Sequence, residues 1–335
     1  MRKTREAELR HSRRRNETIK VLTGRPGGFQ VVDRTSEKRM TRGRQSFGIE
    51  ELDRQLGGGL LSGTLTVLAG ATGAGKTQLG LVWASAGLAA EGQRGVICDM
   101  TSRGDSQNHA DYAARLMNWR LSDYNLADAP GFDDAWDFSR PIGDYFHPID
   151  RSGRRVTRAD LEEDDWHAWK TDLARILRGS AGFFYQHFAR GSRRVVFDGV
   201  EPTDRFSESI QFELFEYLYH QVIRKDDEWA AREWLREKYR ENEASVLAHR
   251  YRQEEIGCVY LYTTAHVMLE DLMRQPISQG DIFANANTII LMGRTLEGGR
   301  SGRALAIPKH RGSACGDDII PYRITDRGLV LGEGS

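Results

Sequence analysis

Five short apolar runs punctuate the chain, at residues 65–69, 95–99, 194–198, 258–264 and 288–292, with longer stretches of mixed polarity between them. Continuous apolar runs of this length suit strands buried on both faces. Strands that alternate with helical patterns imply a mostly parallel sheet covered by helices on both sides, an α/β fold. Residues 78–90 carry Leu79, Val82, Ala86 and Leu88, which we read as the apolar face of a helix. Near the C-terminus, 303–307, 319–324 and 328–331 are short strand-like segments separated by turn residues. They predict an antiparallel extension of the parallel sheet.

Two segments, about 120–190 and 206–256, do not fit a minimal core of this kind and read as inserts. The first is rich in Asp, Trp and Gly; the second carries helical charge patterning, with Trp229, Trp234 and Leu235 read as one apolar stripe. Trp136, Trp166, Trp169, Trp229 and Trp234 make five of the seven tryptophans, and all lie in these segments. Such side chains either pack onto the core or form a partner-binding face.

Composition sharpens the outline. The 335 residues carry no net charge, yet residues 1–45 hold 14 Lys+Arg against 5 Asp+Glu. The first 45 residues therefore read as a basic arm, either a disordered, solvated tail or a contact for nucleic acid or an acidic partner. Residues 46–335 read as a single domain interrupted by the two inserts. Cys98, Cys258 and Cys315 lie far apart and read as reduced thiols. Neither a bilayer-spanning apolar stretch nor a secretory h-region is visible, so the expected location is the cytoplasm, with no membrane contact.

Candidate chemistry begins directly after the first apolar run. Gly70, Ala71, Thr72, Gly73, Ala74, Gly75, Lys76 and Thr77 fit the P-loop pattern G-x-x-x-x-G-K-[ST], and Gln78 follows. Glycines let such a loop take positive φ and bring backbone N–H groups to phosphate oxygens. Lys76 is then expected on the β- and γ-phosphates and the Thr77 hydroxyl on Mg²⁺, with the helix N-terminus adding favourable dipole for an anion. The run 194–198 ends in Asp198, the expected second holder of the Mg²⁺ shell. The pattern implies a nucleoside triphosphate ligand, ATP with Mg²⁺. Nine histidines show no H-E-x-x-H spacing, and no G-x-S-x-G elbow is present.

Upstream of the P-loop, Phe47-Gly-Ile-Glu-Glu-Leu-Asp53-Arg-Gln-Leu-Gly57-Gly-Gly-Leu60 resembles the KaiC-like and RadA-like branches of the RecA superfamily. The C-terminal runs Ala286–Met292, Lys309-His-Arg311-Gly-Ser313 and Ile319–Gly328 resemble the KaiC-like ending. The resemblance implies a single RecA-like core and self-assembly into a hexameric ring or filament. It assigns Lys76 and Thr77 to phosphate and Mg²⁺ and Asp198 to the Walker B position. Thr264 and His266 fall at the end of the sensor strand, where the family carries a γ-phosphate sensor. Lys309 and Arg311 match the Lys-x-Arg pair presented to a neighbouring subunit's nucleotide. The loop 273–286 occupies the place of a DNA-contacting loop in recombinases, so nucleic acid is a candidate partner through this loop and the basic arm.

One departure bears on the chemistry. KaiC-like proteins end the strand after the P-loop helix in a Glu-Glu pair that activates water, whereas Thr101 and Ser102 stand here. Asp99 shares the facing of Thr101 along a strand and is the candidate replacement, with Asp105 the next carboxylate along. The expected activity is thus an oligomeric, Mg²⁺-dependent ATPase that acts on DNA in one branch of the reading. The alternatives are a nucleotide-gated signalling or scaffold assembly with little hydrolysis, and a KaiC-like autokinase, for which Ser301, Ser313 and Thr325 give no decisive spacing.

Overall fold

A computed structural model describes residues 43–101, 108–126, 134–149, 162–200, 209–274, 284–312 and 315–332. Strand β1 (Arg44–Gln45) and β2 (Leu60–Leu61) form a small antiparallel pair around helix α1 (Glu50–Gln55). Then come β3 (Leu65–Gly70), α2 (Lys76–Glu91), β4 (Val96–Asp99), α3 (His109–Met117), β5 (Asp123–Tyr124), β6 (Tyr145–Phe146), α4 (Glu163–Ala189) and β7 (Arg194–Val200). A helical stretch follows: α5 (Ile210–Tyr217) running into a π-helical turn, α6 (Asp227–Leu235) and α7 (Tyr239–Ala248). The chain then returns through β8 (Gly257–Thr263), α8 (Leu269–Arg274), β9 (Thr288–Glu297), β10 (Arg300–His310), β11 (Ile320–Thr325) and β12 (Gly328–Leu331).

Among the described residues, ten of these strands make one sheet in the order β12-β11-β10-β9-β3-β8-β7-β4-β6-β5. From β9 to β5 all neighbours are parallel, and β9 to β12 are joined antiparallel. The apolar runs are the central strands, and the expected architecture holds: a RecA-like α/β sheet with C-terminal antiparallel strands. Because β3 is central, the loop after Gly70 opens at the carboxyl edge of the sheet, where open α/β folds bind ligands.

Strand alternation divides the core into two layers. Val67, Cys98, Val195, Phe197 and Tyr260 point to one face, where Phe183, Phe184, Phe188, Phe215 and Trp234 from α4–α6 cover them. Leu68, Ile97, Val196, Val259 and Leu261 point to the other, beneath Leu52, Leu79 and Trp83 of α1 and α2. The helices of the two inserts therefore supply most of one covering layer of the sheet, which Leu269 and Leu272 of α8 complete. Cys98 and Cys258 are buried free thiols whose pKa burial pushes up.

Three readings need correction. Leu88 is 48% exposed, and α2 instead turns Leu79, Gly80, Trp83, Ala84 and Gly87 inward. Glycine marks the buried face here: a Cβ on Gly80 would stand 3.2 Å from both Leu261 Cδ1 and Val196 Cγ1, so the absent side chain permits the close approach. Trp229 is 43% exposed beside Lys225, whereas Trp234 and Leu235 are buried. Residues five apart on a helix differ by about 140° of rotation, so they cannot share a stripe. Finally, Arg44 and Gln45 at the end of the expected arm belong to the fold; Arg44 donates to the Leu56 and Gly59 carbonyls. Residues 1–42 lie outside the described residues, as do Ser102, Asp105, Ser313 and 275–283 of the loop 273–286. No described helix is long and apolar enough to cross a membrane.

Candidate functional site

The P-loop turns from β3 into α2 through two left-handed glycines, Gly73 (φ +78°) and Gly75 (φ +97°). Beyond Gly73 a Cβ would meet nothing within 4 Å, so the loop faces open space on that side. Gly70 is compact for the opposite reason, since a Cβ there would stand 2.3 Å from the Met292 carbonyl oxygen. The loop is tied down from both flanks. Thr264 N–H donates to the Gly70 carbonyl at 3.0 Å, and the Tyr322 hydroxyl donates to the Ala74 carbonyl at 2.6 Å. Lys76 folds back over the loop, its Nζ donating to the Gly70 and Ala71 carbonyls at 2.9 and 3.0 Å. Burial lowers the Lys76 ammonium to about 8, against the opposing pull of the Asp198 charge. Gln78 is buried, and its Oε1 has no hydrogen-bond partner among the described residues.

Two carboxylates stand side by side across the sheet, because Asp99 ends β4 in register with Asp198 on β7. Thr77 donates its hydroxyl to Asp198 Oδ2 at 2.6 Å, bringing together the two residues expected to hold Mg²⁺. A hydroxyl and a carboxylate are hard oxygen donors of the kind Mg²⁺ takes beside substrate phosphates, so the residues fit that ion. His109, at the start of α3 and 2% exposed, lies between the carboxylates. Its Nε2 is 3.0 Å from Asp198 Oδ2 and its Nδ1 3.5 Å from Asp99 Oδ2. Burial works to raise the Asp198 pKa, but the hydrogen bond and charge of His109, then Thr77 and Lys76, outweigh it and hold the carboxyl below its ordinary value. Asp99 accepts from the Tyr145 hydroxyl and, at 2.9 Å, from the Thr101 N–H.

The sensor-strand residues separate. Thr264 sits against the P-loop and donates its hydroxyl to the His266 carbonyl at 3.0 Å, while the His266 side chain is exposed. Lys309 and Arg311 are not brought to the loop of their own chain. Lys309 pairs in register with Ile289, and Ile289 with Val67, toward the far end of β3 from Gly70. Three residues of strand put that position about 10 Å from Gly70 along β3. Lys309 Nζ donates to the Ala284 carbonyl at 2.9 Å, and its pKa is lowered by burial and by the nearby Arg311. Between them, His310 is held by Thr288 Oγ1 at 2.8 Å and the Leu56 carbonyl at 3.1 Å.

His109, Tyr145, His147 and Gln211 were not singled out by the sequence. Tyr145 and His147 lie in the first insert and Gln211 in the second, and nothing in their local spacing connects them with Asp99. Only the apolar pair Tyr145–Phe146 hinted at a strand that could reach β4. Comparison with curated proteins gives no match. Residues 45–134 match the family model described as ATPase: KaiC. That segment contains β3, the P-loop, α2 and β4, so this part of the chain is similar to a KaiC-type ATPase, and the sheet around it is consistent with a RecA-like P-loop fold.

Proposed function

We propose that this chain is an oligomeric, Mg²⁺-dependent ATPase in which ATP lies between neighbouring subunits. The observation that carries this reading is polarity: the P-loop opens at one end of β3, and Lys309 and Arg311 stand toward the other. A head-to-tail contact would bring the cations of one subunit to the phosphates of the next, the kind of heterologous contact that builds rings or filaments. In this reading Lys76 and the loop N–H groups bind the phosphates, and Thr77 and Asp198 hold Mg²⁺, which when bound neutralises phosphate charge. Lys309 and Arg311 then stabilise charge on the transferring phosphoryl group, a role worth on the order of 10³–10⁵ in rate for comparable cations. Thr264 holds the strand end beside the loop, in position to respond to the γ-phosphate.

A mixing experiment tests the arrangement. Lys76→Ala subunits and Lys309→Ala/Arg311→Ala subunits are each expected to be inactive alone. Mixed, they should regain ATP turnover, because some interfaces then pair an intact P-loop with an intact Lys-Arg pair. No recovery, with both variants assembling as the parent does, would refute trans action.

A second reading, slow turnover by a nucleotide-gated assembly, is favoured by Asp99. It stands two residues before the first of the positions where the glutamates are missing, is 2% exposed and already accepts from Tyr145 and Thr101. Tight ATP binding and ATP-dependent assembly with turnover indistinguishable from Lys76→Ala would select it. Nucleic acid as partner rests on the charge of residues 1–45, 14 basic against 5 acidic. Single-stranded DNA should accelerate turnover and bind more weakly as salt rises; no response to DNA would remove this branch. Unchanged intact-protein mass after incubation with ATP would remove autophosphorylation.

A further inference from the structure

The end of β4 is held at three consecutive residues by side chains from the inserts. Tyr145, on the strand that the first insert adds beside β4, donates its hydroxyl to the Asp99 carboxylate. Gln211, on the second insert's α5, donates Nε2 to the Met100 carbonyl at 2.6 Å. His147, two residues beyond Tyr145, bonds through Nε2 to the Thr101 carbonyl at 2.7 Å. The strand end so fixed carries Asp99, which lies 3.5 Å from His109 Nδ1. His109 in turn meets Asp198, whose other oxygen accepts from the Gly199 N–H at 2.7 Å. An ionised carboxylate only accepts, so the hydrogen of this contact belongs to Nε2. With one oxygen on Gly199 and the other on His109 and Thr77, the plane of the Asp198 carboxylate is set.

We propose that His109 is a positioning residue for Asp198, supported from behind by the Tyr145–Asp99 pair, so that the inserts set the geometry of the Mg²⁺-binding end of the site. The proposal rests on the Mg²⁺-nucleotide reading above and assigns the inserts a task in it. The requirement is chemical and more than steric: the position needs an N–H donor aimed at Asp198. Side chains that orient a metal-binding group in this way typically contribute 10–100-fold to metal affinity or activity.

The test is binding of a fluorescent ATP analogue to the full chain, titrated with Mg²⁺ and repeated in EDTA, for the parent and His109→Leu, His109→Gln and Tyr145→Phe. Binding in EDTA reports the P-loop alone and should be unchanged in every variant, which also shows that each has folded. The Mg²⁺ concentration for half-maximal enhancement should rise about 10–100-fold in His109→Leu. It should return to within a few-fold of the parent in His109→Gln, whose amide keeps a donor near the Nε2 place. Tyr145→Phe should give an intermediate rise. Equal Mg²⁺ dependence in His109→Leu and the parent, or equal loss in the Leu and Gln variants, would overturn the proposal while leaving the nucleotide reading intact. Binding by the parent that Mg²⁺ does not affect would overturn both.

Discussion

The two halves of the site are built in different ways. The phosphate half is one continuous segment, residues 70–78, shaped by glycines and held by Thr264 at the end of β8 and by Tyr322 of β11. The carboxylate half is assembled from Asp99, His109, Tyr145, Asp198 and Gln211, which come from five elements. The first is a local property of the chain. The second draws Tyr145 and Gln211 from the inserts, which set α5 and β6 against the end of β4. Damage to the insert layer should therefore spare the grip on phosphate and loosen the carboxylates.

The largest expected effect comes from emptying that layer. Trp234 is buried and packs so closely on α4 that a Cβ at Gly182 would stand 2.5 Å from its Nε1. Trp234→Ala should cost about 3–5 kcal/mol of stability in urea unfolding. Trp229→Ala, on the exposed side of the same helix, should cost less than about 0.5 kcal/mol. Equal effects would break the distinction between a packed layer and a surface.

Acid should act on the same region. His187 of α4 is buried and bonds through Nε2 to the Gly143 carbonyl at 2.9 Å, just before β6. Burial lowers its pKa to about 4, partly countered by that hydrogen bond and reinforced by the Arg190 charge. The unfolded chain binds a proton that the folded chain refuses, so stability is full above about pH 6.5 and falls as pH drops toward 4. The loss is at most about 3 kcal/mol. A His187→Gln variant should show a flatter stability profile through this window.

The phosphate half should respond at the alkaline side instead. With Lys76 at about 8 in the free protein, a bound triphosphate favours its protonated form. Affinity for ATP should be steady below pH 8 and fall by up to about tenfold per unit above it, measured by equilibrium titration. Lys76→Arg, whose guanidinium stays charged, should lose this dependence. The smallest effect is expected for Tyr322→Phe. Loss of its hydrogen bond to the Ala74 carbonyl should weaken ATP binding by about fivefold, near 1 kcal/mol, without changing the Mg²⁺ requirement.

The same division explains what the sequence could reveal. The buried strands and the P-loop were legible because each is a contiguous pattern with a local cause: unbroken apolar runs, and glycines where φ is positive. Asp99 was reachable through strand alternation once β4 was recognised. His109 and Tyr145 were not, because their role depends on which strand β6 joins, and a two-residue strand leaves little trace in hydropathy. The inward face of α2 was misread because counting apolar side chains overlooks Gly80 and Gly87, where close packing needs no side chain at all. The insert helices likewise looked like additions to a complete core, although one face of the sheet depends on them.

The most direct test of the central claim is Mg²⁺-dependent ATP turnover by the purified full chain beside Lys76→Ala. Measurable turnover that requires Mg²⁺ and is lost in the variant is expected. Turnover that persists in Lys76→Ala would contradict hydrolysis at this P-loop, and an absence of turnover in the parent would contradict the ATPase reading itself.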